Sequence, residues 1–189
     1  MSRAPGESGS WEAVRIPAFP RQSCRVDATS VVYRSASPEQ THALGEAIGR
    51  LADAGDVIGL IGELGAGKTL FVGGLAKGLD IDPAAYVSSP TFAIMHRYPG
   101  RVPLYHIDLY RIETADACAR LGLDEYLQGD GVAAVEWAEH GWGILPKEML
   151  TVRLRYFGSD TRLIEIIPVG DRYVRLVREL MRQFSALKP

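Results

Sequence analysis

The chain has 189 residues, about the length of one ordinary domain. Apolar residues make up 47% of it and charged residues 23%, so it has enough apolar side chains to build a hydrophobic core and does not resemble a disordered chain. Its 21 basic and 23 acidic residues give a formal net charge of −2, which excludes a protein that holds nucleic acid through a strongly positive surface.

The sequence indicates neither a membrane protein nor a secreted one. No apolar run approaches the roughly 18 residues of a membrane span, and the N-terminal region has no apolar segment typical of a secretory signal. Cys24 and Cys118 stand in unrelated contexts without CxxC spacing, so neither a disulfide framework nor a zinc site is indicated. We therefore expect a cytoplasmic protein.

Residues 1–27 mix proline, glycine, serine and charged residues without a helical or strand period. This segment is predicted to be a flexible N-terminal tail, and residues 28–189 are predicted to form one domain. The first predicted helix begins at Ser37-Pro38-Glu39-Gln40, where a capping serine precedes a proline and a glutamine follows three residues after the cap. Gly55 is placed to end this helix.

Short apolar runs then alternate with helix-forming segments. The predicted strands are residues 57–61, 92–98, 102–109, 132–137, 151–157 and 162–168. Further helices are predicted after the glycine-rich segment 62–69, over 114–127 and over about 171–187, where apolar residues of the terminal helix are best explained by packing. This alternation favours a single α/β domain with a mainly parallel sheet.

Gly62-Glu63-Leu64-Gly65-Ala66-Gly67-Lys68-Thr69 matches GxxxxGK[ST], the Walker A or phosphate-loop motif. It lies between a predicted strand and a predicted helix, the order that the motif needs. Glycines let successive backbone N–H groups and the helix N-terminus point at an anion. Lys68 is predicted to reach the outer phosphates of a nucleotide, and the Thr69 hydroxyl to coordinate Mg²⁺.

Two acidic residues, Asp108 and Glu136, each stand at the carboxyl end of a predicted strand. In open α/β sheets ligands bind at that edge, so both carboxylates are predicted to lie near the phosphate loop. Either residue alone fits a surface charge, but together they favour a metal-binding and catalytic role. The sequence contains no asparagine and hence no NKxD guanine-recognition element, so the expected nucleotide is ATP or ADP.

Four segments together resemble one family. They are the loop at 62–69, Ser-Ser-Pro-Thr-Phe at 88–92, Tyr-His-Ile-Asp-Leu-Tyr-Arg at 105–111 and Val-Glu-Trp at 135–137. In this order and spacing, over roughly residues 37–168, they resemble the bacterial TsaE (YjeE) family of small P-loop ATPases in tRNA threonylcarbamoyladenosine biosynthesis. The resemblance implies a three-layer P-loop NTPase domain, with a mainly parallel central sheet and flanking helices, that binds ATP or ADP with Mg²⁺.

The resemblance also implies partners. The family binds the TsaB and TsaD proteins, of which TsaD transfers the threonylcarbamoyl group to adenosine in certain tRNAs. Hydrolysis of ATP is thought to reset that complex between turnovers, so contact with tRNA is expected only through the complex. The net charge of −2 agrees with indirect contact with tRNA, since a direct tRNA binder would be expected to show a basic face.

Site residues carried over from the family follow the matched positions. The loop from Gly62 to Thr69 would bind phosphates, Thr69 and Glu136 would hold the metal, and Asp108 would organise the attacking water or the metal. Further nucleotide-site residues implied by the match are Thr91 as a switch threonine, Trp137 as a stacking residue, and Thr41 and Arg162 as nucleotide contacts. The structural alternatives to these roles are that Thr91 is a turn residue and that Trp137 is a core residue. No role is assigned to His106.

Two other functions remain open from the sequence. One is a small phosphotransferase that moves the terminal phosphate of ATP to a metabolite, since compact kinases share the loop motif. Such kinases usually carry a compact arginine-rich lid, whereas arginines here are spread through predicted strands and a helix. The other is a nucleotide-binding module without catalysis, in which Asp108 and Glu136 would be replaceable.

Overall fold

A computed structural model of the chain describes residues 10–12, 30–112 and 114–186. The strands are β1 (Ser10–Glu12), β2 (Val31–Ser35), β3 (Val57–Ile61), β4 (Met95–Tyr98), β5 (Leu104–Asp108), β6 (Val132–Glu136), β7 (Leu150–Tyr156) and β8 (Arg162–Pro168). The helices are α1 (Pro38–Leu51), α2 (Lys68–Gly78), α3 (Ala115–Ala119), α4 (Asp124–Leu127) and α5 (Asp171–Ala186), with a short 3-10 helix at Ala138–Gly141.

All eight described strands form one sheet in the order β1-β2-β8-β7-β3-β6-β5-β4. The central strands β7, β3, β6 and β5 pair in parallel, whereas the remaining pairings towards both edges are antiparallel. The predicted α/β class is confirmed, and its parallel part is the centre of the sheet. Strand β3, which leads into the glycine-rich loop, lies between two parallel neighbours, so the loop starts from a rigid position.

Helix α1 begins as its sequence predicts. The Ser37 side chain accepts a hydrogen bond from the Gln40 backbone N–H at 3.3 Å, and the Gln40 side chain accepts one from the Ala36 N–H at 2.7 Å. The helix ends earlier than the position of Gly55 predicts: its last residue is Leu51 and its C-cap is Ala52, while Gly55 lies in the following turn with a φ of 86°.

Helices α1 and α2 pack with their backbones in close approach. A β-carbon at Gly45 would clash with the Phe71 carbonyl oxygen, and a β-carbon at Gly74 would clash with the carbonyl oxygen of His42. Larger side chains would push the helices apart, so glycine allows this packing. Because α2 begins at the end of the phosphate loop, its contact with α1 also fixes the loop.

Two internal segments differ from the sequence prediction. The strand predicted over 92–98 starts only at Met95, because the chain turns before it: Ile94 has a φ of 68° and its N–H donates to the Pro90 carbonyl oxygen at 2.6 Å. The single helix predicted over 114–127 is two short helices, α3 and α4, separated by Gly122 with a φ of 64°.

The two ends of the chain also contribute to the fold. Strand β1 pairs with β2, which the prediction of a tail over 1–27 did not anticipate; the rest of that range lies outside the described residues. Helix α5 packs through Tyr173, Leu176, Val177 and Leu180. The helical spacing of Val174, Val177, Met181 and Phe184 predicts a slightly different buried face, and Met181 is 36% exposed. Among the described helices, none is long and apolar enough to cross a membrane.

Candidate active site

The phosphate-loop motif connects β3 to α2. Gly65 and Gly67 have φ angles of 77° and 106°, a region that other residues rarely adopt. Gly67 is the cap of α2, and no side chain of a described residue hydrogen-bonds the free amides of the first helical turn there. These amides and the positive end of the helix dipole are therefore available to an anion, as a phosphate site requires.

Lys68 lies inside this loop and is only 4% exposed. Its Nζ donates hydrogen bonds to the carbonyl oxygens of Gly62 at 2.6 Å and Glu63 at 3.0 Å. Burial lowers the pKa of Lys68, and the negative charges of nearby Glu136, Glu139 and Asp108 oppose that effect. The ammonium group is thus held by neutral acceptors that a more strongly attracting phosphate can replace.

Glu136 ends β6 and reaches the first turn of α2. Its Oε1 accepts a hydrogen bond from the Thr69 hydroxyl at 2.8 Å, and the carboxylate is nearly buried. The predicted pair of metal-binding residues is therefore in direct contact. A hydroxyl and a carboxylate are hard oxygen donors of the kind that Mg²⁺ prefers, so the residues present fit this ion.

Asp108 ends β5 directly beside Glu136, with which it is paired in the parallel register of β5 and β6. Its Oδ2 accepts hydrogen bonds from the hydroxyls of Ser89 and Thr91, the latter at 2.9 Å, and its Oδ1 accepts one from the Tyr110 N–H at 2.8 Å. Asp108 thus connects the Ser-Ser-Pro-Thr-Phe segment to the edge of the sheet that carries Glu136.

These groups line one cleft of about 340 Å³. The lining residues are Leu64, Gly65, Gly67, Lys68, Thr69, Leu70, Ser89, Thr91, Asp108, Tyr110, Glu136 and Trp137. Within the described part of the chain no group of three or more histidine, cysteine or acidic residues has the arrangement of a metal site built by protein alone.

Trp137 follows Glu136 and has a φ of 56°, which is unusual for a bulky residue. Its ring centroid lies 3.9 Å from Lys68 Nζ and 5.0 Å from the Tyr110 ring. The indole therefore covers the lysine at the cleft, and its predicted stacking role stays a prediction.

Thr41 and Arg162 lie behind the loop rather than in the cleft. Thr41 is buried in α1, and its hydroxyl is 2.8 Å from that of Ser35. Arg162 Nε donates to the Ala66 carbonyl oxygen at 3.1 Å, so the β7–β8 hairpin supports the loop from outside. Arg162 thus contacts the loop directly, and Thr41 packs behind it; the nucleotide contacts predicted for both residues stay predictions.

Three further residues at the site carry no role in the sequence prediction. His106 contacts Glu136, Ser89 contacts Asp108, and the Tyr156 hydroxyl donates to the Leu64 carbonyl oxygen at 3.1 Å. His106 stands two residues before Asp108, and this spacing predicts that both side chains lie on the same face of the strand. The spacing is the sequence signal that His106 lies near the site. Ser89 and Tyr156 act through contacts that only the folded chain creates.

Known proteins are similar to this chain in sequence and in fold. The sequence model described as "Threonylcarbamoyl adenosine biosynthesis protein TsaE" matches residues 35–164, more than half of the chain. The tRNA threonylcarbamoyladenosine biosynthesis protein TsaE of Bacillus subtilis is 46% identical over 151 residues, which cover 79% of this chain and 93% of that protein. The protein of the same name from Treponema pallidum is 39% identical over 132 residues, covering 70% of this chain and 96% of that one.

The same relationship holds in three dimensions. A crystal structure of Bacillus subtilis YdiB aligns with a TM-score of 0.74 and 40% sequence identity, over 84% of this chain and 99% of that chain. The family model, the long sequence alignments and the shared fold agree. The chain therefore belongs to the TsaE family of tRNA threonylcarbamoyladenosine biosynthesis proteins.

Proposed function

We propose that this chain is a magnesium-dependent ATPase that serves tRNA threonylcarbamoyladenosine biosynthesis through a complex with TsaB and TsaD proteins. The observation that carries the proposal is the contact of Thr69 with Glu136 at 2.8 Å, beside a buried Lys68 in a phosphate loop. A loop without catalysis would need only the glycines and the lysine. A carboxylate from a neighbouring strand, aimed at the loop threonine, favours hydrolysis.

Binding of ATP is assigned to the loop. The free amides at the start of α2 would receive phosphate oxygens, and Lys68 would exchange the Gly62 and Glu63 carbonyl oxygens for the outer phosphates. Both changes place positive groups against negative charge in a site where burial strengthens the attraction. The loop thus supplies affinity and holds the terminal phosphate in a fixed position.

The two carboxylates are assigned different tasks. Glu136 and Thr69 would hold Mg²⁺, which when bound neutralises phosphate charge. Asp108, already fixed by Ser89, Thr91 and the Tyr110 N–H, would orient the attacking water from the neighbouring strand end. Its contact with Thr91 gives the proposed switch threonine a direct connection to the catalytic carboxylate.

Action through partners rests on family membership and on charge. The relatives are named for tRNA threonylcarbamoyladenosine biosynthesis, and the chain has a net charge of −2, which disfavours strong direct binding of tRNA. Coupling ATP hydrolysis to a TsaB–TsaD complex reconciles a tRNA-modification role with this charge.

The test is ATP hydrolysis by the purified full-length chain in Mg²⁺ and in excess EDTA. We expect hydrolysis that requires Mg²⁺ and a Mg²⁺ requirement that increases when Glu136 is replaced by alanine. Hydrolysis of equal rate in EDTA would contradict the metal assignment. Tight nucleotide binding without hydrolysis, alone or with partners, would instead support the non-catalytic module.

A further inference from the structure

His106 is a buried polar residue that the mechanism above does not use. It lies on β5 with no solvent exposure, and its Nε2 is 2.8 Å from Oε1 of Glu136. Its other ring nitrogen, Nδ1, is buried and has no hydrogen-bond partner among the described residues. Burying a polar side chain with an unpaired nitrogen costs free energy of folding. We therefore ask what its one hydrogen-bond partner, Glu136, gains from the contact.

The partner determines which ring nitrogen carries the proton. An ionised carboxylate can only accept hydrogen bonds, so the imidazole must donate from Nε2. A proton on Nδ1 would have no acceptor among the described residues. The geometry therefore assigns His106 the tautomer that donates to Glu136.

Two donors converge on one oxygen of Glu136. The Thr69 hydroxyl approaches Oε1 from α2 and His106 Nε2 approaches it from β5, both at 2.8 Å. In the described part of the chain, all side-chain hydrogen bonds of this carboxylate go to Oε1. Oε2 is therefore left for another ligand.

The backbone holds this arrangement rigidly. In the parallel pairing of β5 with β6, His106 lies opposite Ala134 and Asp108 lies opposite Glu136. The histidine thus reaches Glu136 across neighbouring strands at the centre of the sheet. A donor fixed by a strand cannot follow the carboxylate if it rotates, so it selects one orientation.

We propose that His106 is a positioning residue that orients Glu136 for binding Mg²⁺ together with Thr69 and the nucleotide. This inference rests on the proposed function, because it gives Glu136 the role of a metal ligand. It differs from a merely structural role, in which His106 fills a buried space and any folded replacement would leave metal binding unchanged.

The test replaces His106 with two amide side chains of different length, in the variants His106→Gln and His106→Asn. Glutamine can present an N–H at about the position of imidazole Nε2, whereas asparagine is one methylene shorter and cannot reach Glu136 in the same way. The first measurement is the affinity for a non-hydrolysable ATP analogue in EDTA. The second is a Mg²⁺ titration of that affinity, which gives the Mg²⁺ concentration at which half of the gain in affinity is reached. His96→Asn is the matched control, since His96 lies opposite His106 on β4.

We expect His106→Asn to require about tenfold more Mg²⁺, the usual lower limit for losing a partner of a metal ligand. Affinity in EDTA should stay at the wild-type value, and His106→Gln should restore the wild-type Mg²⁺ requirement. Adding His106→Asn to Glu136→Ala should have no further effect, because the residue through which it acts is gone. His96→Asn should resemble the wild type.

A wild-type Mg²⁺ requirement in folded His106→Asn would overturn the proposal. So would equal losses in His106→Asn and His106→Gln, or a further loss in the Glu136→Ala background. If His106→Asn does not fold, a folded His106→Gln variant that needs tenfold more Mg²⁺ gives the same contradiction. The binding measurement does not depend on hydrolysis, so an inactive wild type would reject the ATPase proposal and leave this test decisive.

Discussion

Lys68 is a buried cation whose ammonium group contacts two loop carbonyl oxygens and the Trp137 ring. Its burial lowers its pKa, and three nearby carboxylates act against that shift. Such a residue binds an arriving phosphate strongly because little water competes for it. We therefore expect the Lys68 charge to contribute strongly to nucleotide affinity, in addition to the loop amides.

Replacement of Lys68 by alanine is expected to weaken ATP binding by about 100-fold or more, since charge-assisted contacts to the outer phosphates are lost. Calorimetric or fluorescence titration with ATP measures the effect. Lys77→Ala is the control, because Lys77 lies on the same helix with its ammonium group exposed and paired with Glu46. Unchanged affinity in Lys68→Ala would refute the phosphate-loop assignment.

Replacement of Glu136 by alanine should separate binding from catalysis. We expect nucleotide binding through the loop, measured in EDTA, to be retained and hydrolysis to fall at least about tenfold, because a group that places the reacting species is lost. Steady-state phosphate release measures the rate, with the exposed Glu125→Ala of α4 as control. Wild-type turnover in Glu136→Ala would remove this residue from the mechanism.

Individual residues differ in how far sequence could predict them. Asp108 and Glu136 follow apolar runs that predict strands, so the rule for strand ends placed both at one edge, where the structure has them. His106 and Ser89 were missed as partners of these carboxylates, because side-chain contacts between distant segments depend on register and on the path of loops.

At the scale of elements, the pair α1 and α2 fixes the phosphate loop through close backbone packing. Gly45 and Gly74 lie where the two helices meet, and a β-carbon at either position would clash with a carbonyl oxygen of the other helix. Gly73, adjacent on α2, has ordinary space around it: a β-carbon there would lie 3.7 Å from the His42 ring. The two neighbouring glycines thus offer a matched comparison.

We expect Gly74→Ala to destabilise the protein by about 1–3 kcal/mol, because the helices must separate to admit a methyl group. Gly73→Ala should be neutral or stabilise by up to about 1 kcal/mol, since alanine favours a helix. Denaturant unfolding of both variants measures the difference. Equal stabilities would show that the close approach of α1 and α2 does not constrain the fold.

Prediction of the elements succeeded where local signals dominate and failed where distant contacts decide. The capping residues of α1 and the apolar run of β3 are local signals, and the start of α1 and the whole of β3 formed as predicted. The segment before Met95 has strand-like residues, yet Ser89 and Thr91 bind Asp108 and hold the segment in a turn. Likewise, pairing with β2 makes Ser10–Glu12 a strand although its own sequence carries no strand period.

At the scale of the whole molecule, the family match at residues 35–164 stops short of α5. That helix is nevertheless part of the domain: the Tyr173 hydroxyl accepts a hydrogen bond from the Val57 N–H at 2.8 Å, and Arg172 pairs with Asp56 at 2.7 Å. Both contacts fix the start of β3. The C-terminal helix therefore supports the strand from which the phosphate loop emerges.

We propose that ATP hydrolysis by this chain serves a partner complex. The most direct measurement is the rate of ATP hydrolysis by the purified chain, alone and with its cognate TsaB and TsaD proteins, using Lys68→Ala as the blank. We expect a slow basal rate that the pair stimulates. A rate that the pair leaves unchanged, with ATP consumed only when a small metabolite is supplied, would contradict it and identify a phosphotransferase.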